Sequence, residues 1–393
     1  MLNAGPTTMP VWQDLIDQYK DVAPDVTINV NQVGYNVIRD QLPIQLEAGT
    51  GPDLATVTNL GGLNPYYLDL TPYVDAEQWE RNYGDTLRWY RAGKTGGIYG
   101  WQTDLSVSGP YINRTLFEEA GVEIPEPGAT WDDWADATGA VQGELGLYAG
   151  MVMDRSGHRF AGPAMSYGAQ YVDENGNLVV DEGFRAFSQR MLDWHETGLM
   201  PPDIWPAVSG QTYADGNSLF FAEDVPFYMS GSWNLSTVEN TVGDGFDWAV
   251  ALVPCGPEGC GVMPGGGGLV SFADTEHPEE VAAFIDWMAS NPVARQFYTR
   301  TFQIPANQKL QEEGLDYGSA GASEKVQDAL NLFGEMAATS ARETPQAFRI
   351  QGDNRSSAMF SATADYLGAA MNGEFTLDEA LDKIREAIAQ NEN

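Results

Sequence analysis

Two short stretches gather the side chains best suited to chemistry. "MDRSGHRF" places Asp154, Arg155, His158 and Arg159 together, and "VPFYMSGSWNL" ends a buried-strand pattern at Gly231 and Ser232 before presenting Trp233. The chain has only 20 basic residues, so two arginines and a histidine within five positions are a dense local group, weighed against a plain surface loop. The familiar reaction constellations are missing. The three histidines, His158, His195 and His277, fall in no H-E-x-x-H or other metal spacing, so no metal is expected. "GGGG" at 265–268 lacks the Lys-Ser/Thr of a phosphate loop, and a hinge or a close backbone approach to ligand at Gly266 and Gly267 suits it better. No G-x-S-x-G elbow occurs, and carboxylates are too numerous for any chosen pair to argue for a glycosidase. A carbohydrate-active enzyme is the rival reading from another class, and no cofactor is expected.

The bulk numbers narrow the field further. At 393 residues the chain exceeds the size at which one core splits, so two lobes are expected. The 56 acidic residues give a net charge of −36, which repels phosphate backbones and anionic lipid and argues against nucleic-acid and peripheral membrane partners. No window holds the ~18 apolar residues of a membrane span, and no basic-then-apolar leader opens the chain. "MLNAGPTTMPVW" reads as a cytosolic start or as a mature domain given a new Met. Cys255 and Cys260, in "PCGPEGC", are the only cysteines. A metal site needs further ligands and a redox motif prefers C-x-x-C, so a small disulfide loop is the first reading and two free thiols the second. The disulfide points to an oxidising compartment.

The elements that position these residues alternate. "MPVWQDLIDQYKDVAP" carries a helical face of Val11, Trp12, Leu15, Ile16 and Tyr19. "VTINVNQV" reads as a strand, "VIRDQLPIQLEAGTG" as a helix, and "DLATVTNL" as a short buried strand. This βα rhythm predicts an α/β fold with mostly parallel sheets, and ligands of such sheets sit beyond the carboxyl ends of strands. Thr58, Asn59, Gly61 and Gly62 follow such an end. "GIYGWQTDLSVSGPYIN" reads as two short strands with polar residues at the break. Asn113 caps "RTLFEEAG", Thr130 caps "WDDWADATGAVQ", and Asn175-Gly176 marks a hairpin rather than a calcium loop, because Leu178 stands where that loop requires glycine. Trp12, Trp89, Trp194 and Trp287 lie on helical apolar faces and read as core. The last third is rich in helix.

Several phrases, in order, resemble the family 1 extracellular solute-binding proteins of ABC importers, the maltose-binding-protein-like group. They are "EAGTGPDLATV", "LDLTPYVD", "YINRTLFEEAGVEIPEPGATWDDW", "VPFYMSGSWNL" and "TLDEALDKIREAI", collinear over roughly residues 10–390. The resemblance implies a two-lobe, type II-like fold with a hinge of crossing strands. It places one lobe at 1–106 plus 262–306 and the other at 107–261 plus 307–393. The family's first strand precedes a ligand-contacting loop, yet only "LNAGP" stands before the first helix here. That strand is either clipped or outside this chain, and contacts from Gly5, Pro6 and Thr7 are left unassigned.

In the resembling proteins the Gly-x-Trp element ends a strand at the inter-lobe cleft, and the Trp stacks on a sugar ring. Pyranose C–H faces are apolar and mildly positive, and indole offers a large electron-rich face. Gly231 and Ser232 let a ring approach the backbone, and Ser232 adds a hydroxyl. Polar partners complete such a site. "WQTDLS" offers Gln102, Asp104 and Ser106, or else is a solvated turn; the "MDRSGHRF" residues Asp154, Arg155, His158 and Arg159 are further candidates. Trp205, between prolines, is a cleft or a core residue, and "FRIQGDNRSS" offers Arg349, Asn354 and Arg355. The function implied is delivery of a mono- to oligosaccharide to the permease subunits of an ABC importer by a monomer. The location implied is periplasmic or extracellular, free or lipid-tethered. The alternative is the same fold binding an anionic polyol, such as glycerol phosphate or an acidic or sulfonated sugar, through Arg155, Arg159, Arg349 and Arg355.

Overall fold

The spacing of Val11, Trp12, Leu15, Ile16 and Tyr19 folds as a helix, Met9–Val22, with those five side chains buried. The computed structural model describes residues 1–5, 7–91, 94–206, 213–344, 346–353 and 355–390, with Asp85 described by its backbone only. The chain forms two compact units, Met1–Ser106 with Gly265–Glu324 and Gln351–Asn354, and Val107–Pro264 with Lys325–Ile350 and Arg355–Asn393. Among the described residues the strands are β1 (Leu54–Val57), β2 (Trp101–Gln102), β3 (Ser106–Asn113), β4 (Met151–Met153), β5 (Phe227–Gly231), β6 (Trp248–Val250), β7 (Pro264–Gly265) and β8 (Gly268–Ser271).

In the first unit β8 lies between β1 and β2 and is antiparallel to both. Its register pairs Gly268 with Val57 and with Gln102, so the carboxyl ends of β1 and β2 share an edge with the amino end of β8. Residues 1–3 lie alongside β1 and pair in parallel with residues 31–33: Leu2 N donates to Asn31 O at 2.9 Å, Val33 N to Leu2 O at 3.0 Å, and Thr56 N to Met1 O at 3.1 Å. Helices Met9–Val22, Pro278–Ala289 and Asn291–Thr301 seal the core, where Trp12 meets Phe297 edge-on at 5.0 Å.

In the second unit the sheet order is β4-β5-β3-β6, with β4 and β5 parallel and β3 antiparallel to both β5 and β6. The α/β character is as expected, but mostly parallel sheets are not, and the reason lies in the connections. β2 runs into β3 within four residues and β7 into β8 within three, and both steps carry the chain from one unit to the other, so β8 starts at the edge where β2 ends and runs opposite to it. Periodicity alone reports strand existence and not strand direction.

Local chemistry agrees with the sequence at several ends. Asn113 Oδ1 accepts from Leu116 N, and Thr130 forms a capping box with Asp133. The hairpin closes through the Val172–Leu178 bridge with Gly176 at φ 86°. Cys255 and Cys260 are disulfide-bonded. Their loop is clasped on several sides: Trp131 N donates to Cys255 O, Glu258 N to Ser166 O, and Cys260 N to Glu343 Oε2. Trp12, Trp89 and Trp194 are buried, while Trp287 is only half-buried at the margin of the first core.

Candidate functional site

Because β4 and β5 run in parallel, Asp154 and Gly231 leave the sheet at the same edge. Asp154 is fully buried and works as a hub. Its Oδ1 accepts from the Tyr228 hydroxyl at 2.8 Å and the Gly216 amide at 3.0 Å, and its Oδ2 accepts from the Ser230 hydroxyl at 3.1 Å. Arg159 Nε stands 3.6 Å from Oδ2. Burial pushes this carboxyl up to about 6, against the opposing pull of Arg159, Tyr228 and Gly216.

Trp233 is half-buried, on a single 3-10 turn directly after β5. The Arg159 guanidinium lies over its ring, 3.6 Å from the centroid. Arg159 Nη1 is 2.8 Å from His158 Nδ1, and His158 Nε2 is 3.1 Å from the Pro264 carbonyl. The small residue before the indole has a steric cause. Gly231 is extended, a conformation open to any residue, but a Cβ there would stand 2.0 Å from Cζ3 and Cη2 of Trp233. Ser232 is buried and accepts from Val107 N at 3.1 Å, tying the turn to β3.

The first-unit candidates Gln102 and Asp104 find their hydrogen-bond partners within their own unit. Gln102 is 1% exposed; its Oε1 accepts from Tyr90 and its Nε2 donates to Asp104 O, so both amide atoms serve the scaffold. Asp104 accepts from Gly267 N at 2.7 Å and from the Thr103 hydroxyl at 3.1 Å. Gly266, at φ +144°, approaches that segment so closely that a Cβ would lie 2.0 Å from Asp104 O. Its small size therefore serves a contact within its own unit. Asn59 is half-buried, with Oδ1 accepting from Gly62 N, and Ser106 is buried at the start of β3.

The Asp104 carboxyl is pushed up to about 6 by burial, opposed by Gly267 and Thr103. A carboxyl whose folded value lies above its unfolded one holds its proton more tightly in the fold. Its contribution is complete below about pH 4 and is lost as pH rises to about 6. Stability is therefore expected to decline across that window by about 3 kcal/mol. Asp104→Asn, which keeps an acceptor for Gly267, should flatten part of this decline in urea unfolding at pH 4.5 and 7.5; an unchanged slope would mean that Asp104 does not titrate there.

Several sequence candidates are corrected. Asp154, a ligand-contact candidate, is the interior hub just described, with both carboxylate oxygens engaged by the chain itself. Trp205 is 1% exposed, with its indole N–H donating to Met153 O, and so belongs to the core. Arg155 donates to Trp205 O at 2.8 Å and to Asp365 Oδ1 at 3.3 Å, a structural tie across the second unit. Arg349 is exposed and Arg355 donates to Gly176 O, both beside the 173–177 turn rather than with Trp233. Asn354 and Pro6 lie outside the described residues. Sequence reasoning missed Tyr228, Ser230 and Gly216. The signal for the first two was present: 228 and 230 are alternate positions of a buried strand, so two hydroxyls on one face call for a buried partner.

With this geometry in hand, comparison with known proteins is informative. An arabinooligosaccharide-binding protein of Halalkalibacterium halodurans is 25% identical over 401 residues, covering 97% of this chain and 86% of its own. The GacH receptor of Streptomyces glaucescens, solved unliganded and with acarbose, superposes with a TM-score of 0.79 at 18% identity, covering 99% of this chain and 97% of that one. An ABC substrate-binding protein of Listeria monocytogenes in complex with cycloalternan gives a TM-score of 0.78 at 17% identity, with the same coverage. At such identities the two structural likenesses establish the fold. The family comes from the sequence model described as bacterial extracellular solute-binding protein, which matches residues 3–295, well over half of the chain. The ordered motifs, the two α/β units and that match converge, and the chain belongs to the bacterial extracellular solute-binding proteins.

Proposed function

We propose that this chain is the substrate-binding component of an ABC importer and that it takes up a neutral mono- to oligosaccharide, with Trp233 as the stacking platform. The observation that carries the reading is the half-buried indole of Trp233 at the carboxyl edge of two parallel strands, backed by Arg159 on one face. Aromatic rings offered this way suit the C–H face of a pyranose or furanose. The charge pattern favours a neutral guest. Arg159 faces Asp154, and Arg155 is paired with Asp365, so neither stands as an open cation for phosphate or carboxylate. Relatives that bind arabinooligosaccharide and maltodextrin support the same class. The protein acts outside the cytoplasm, in the periplasm or tethered at the cell surface, as a monomer that hands its sugar to membrane permease subunits without chemical change.

Thermal-shift screening tests the proposal, with mono-, di- and trisaccharides alongside glycerol phosphate and acidic and sulfonated sugars, each at low and high salt. A neutral sugar at 100 times its Kd should stabilise by about 2.7 kcal/mol, with little dependence on salt. Stabilisation by anions alone, fading as salt rises, would replace the reading with an anionic polyol receptor. Turnover of a glycan would replace it with an enzyme.

A further inference from the structure

We propose that Arg159 is a positioning residue, a fixed underlay that holds the Trp233 indole in place and leaves its opposite face for the guest. The inference deepens the carbohydrate reading and rests on it for the identity of the guest, though not for the underlay itself. A guanidinium carbon 3.6 Å from a ring centroid is in van der Waals contact with that face. Arg159 is only 9% exposed and is held from two further directions, by Asp154 at Nε and by His158 at Nη1.

The histidine contact fixes a protonation state. Guanidinium has donors and no acceptor, so at 2.8 Å the His158 Nδ1 must be the acceptor. The ring proton then sits on Nε2, which donates to the Pro264 carbonyl at 3.1 Å. His158 is thus a neutral brace, with both ring nitrogens engaged and its ring edge-on to Phe360 at 5.6 Å. On the other side, Asp154 is itself held by Tyr228, Ser230 and Gly216. The support therefore runs from two strands and the 157–166 helix into one guanidinium plane, and from that plane into the indole. The Gly231 backbone sets the far edge of the same ring.

The opposite arrangement makes a distinct prediction. If Arg159 were a placeholder that a sugar displaces from the indole, its removal would strengthen binding. As an underlay, its removal weakens binding, because Trp233 loses its orientation. Leaving the indole would also strip Asp154 of its cation in a buried setting, which disfavours displacement.

The test reads the indole directly. The Trp233 N–H resonance, identified by its loss in Trp233→Phe, is followed in protein without sugar for wild type, Arg159→Ala, Arg159→Lys, His158→Gln and His158→Ala. Affinities for maltotriose and arabinotriose are measured in parallel. Arg159→Ala should shift and broaden the resonance and weaken sugar binding about 10- to 100-fold. Arg159→Lys, which keeps the charge but loses the plane, should recover only part of this. His158→Gln retains an acceptor and should stay within about threefold of wild type, whereas His158→Ala should not. Tighter sugar binding in Arg159→Ala, or an unchanged resonance in every variant, would overturn the proposal. Should Arg159→Ala not fold, the two His158 variants decide by the same signals. A wild type that binds neither sugar counts against the carbohydrate reading, while the resonance still reads the underlay.

Discussion

Trp233→Ala is expected to weaken saccharide binding about 30- to 1000-fold, the 2–4 kcal/mol typical of a central aromatic contact. The melting temperature should move by only a few degrees. The asymmetry follows from placement. The indole lies beyond the end of β5, half-buried, while the core of the second unit is built from Tyr111, Phe227, Tyr228 and Trp248. Trp233→Phe keeps an aromatic face over Arg159 and should retain a good part of the affinity. Isothermal titration with the best sugar from the screen checks both. Equal affinity in wild type and Trp233→Ala would remove the indole from the binding site and with it the central feature of the reading.

Asp154→Ala should have the largest effect on folding. The substitution leaves the Tyr228 and Ser230 hydroxyls and the Gly216 amide without their acceptor and leaves Arg159 as a buried cation without its carboxylate. Breaking one side of such a pair costs about 3–5 kcal/mol, or roughly 10 °C in melting temperature for a unit of this size. The loss should grow toward pH 5, because the carboxyl is pushed up to about 6 and binds its proton more tightly in the fold than in the unfolded chain, a gain that the wild type keeps and the variant lacks. Calorimetry at pH 7.5 and pH 5 measures both. A change below 2 °C at neutral pH would show that water reaches the hub and that Asp154 is dispensable.

How far the sequence can be read depends on the range of the physics. Caps and turns were legible because their chemistry is local: Asn113, Thr130 and Asn175-Gly176 act within a few residues of themselves. The helix faces were legible because burial imposes a period. Gly231 and Trp233 stood out for the same reason, a strand pattern cut short. Side-chain direction was not legible. Arg155 and Arg159 sit four residues apart in one phrase, yet one ties Trp205 and Asp365 and the other lies under Trp233. Gln102 read as a site candidate because polar contexts usually face outward, and Trp205 read equally as cleft or core; both turn inward, Gln102 to Tyr90 and Asp104 and Trp205 to Met153, 52 residues back in the chain. Strand direction escaped for a similar reason, since it depends on which end of the sheet the chain re-enters.

The close approach at Gly231 carries a lesson for anyone wishing to retune this receptor. Residues 231 and 233 behave as one inherited piece: even a methyl group at the first evicts the ring at the second, whatever the guest. Libraries aimed at new sugars should leave that pair and its cationic backing untouched and vary the walls around it.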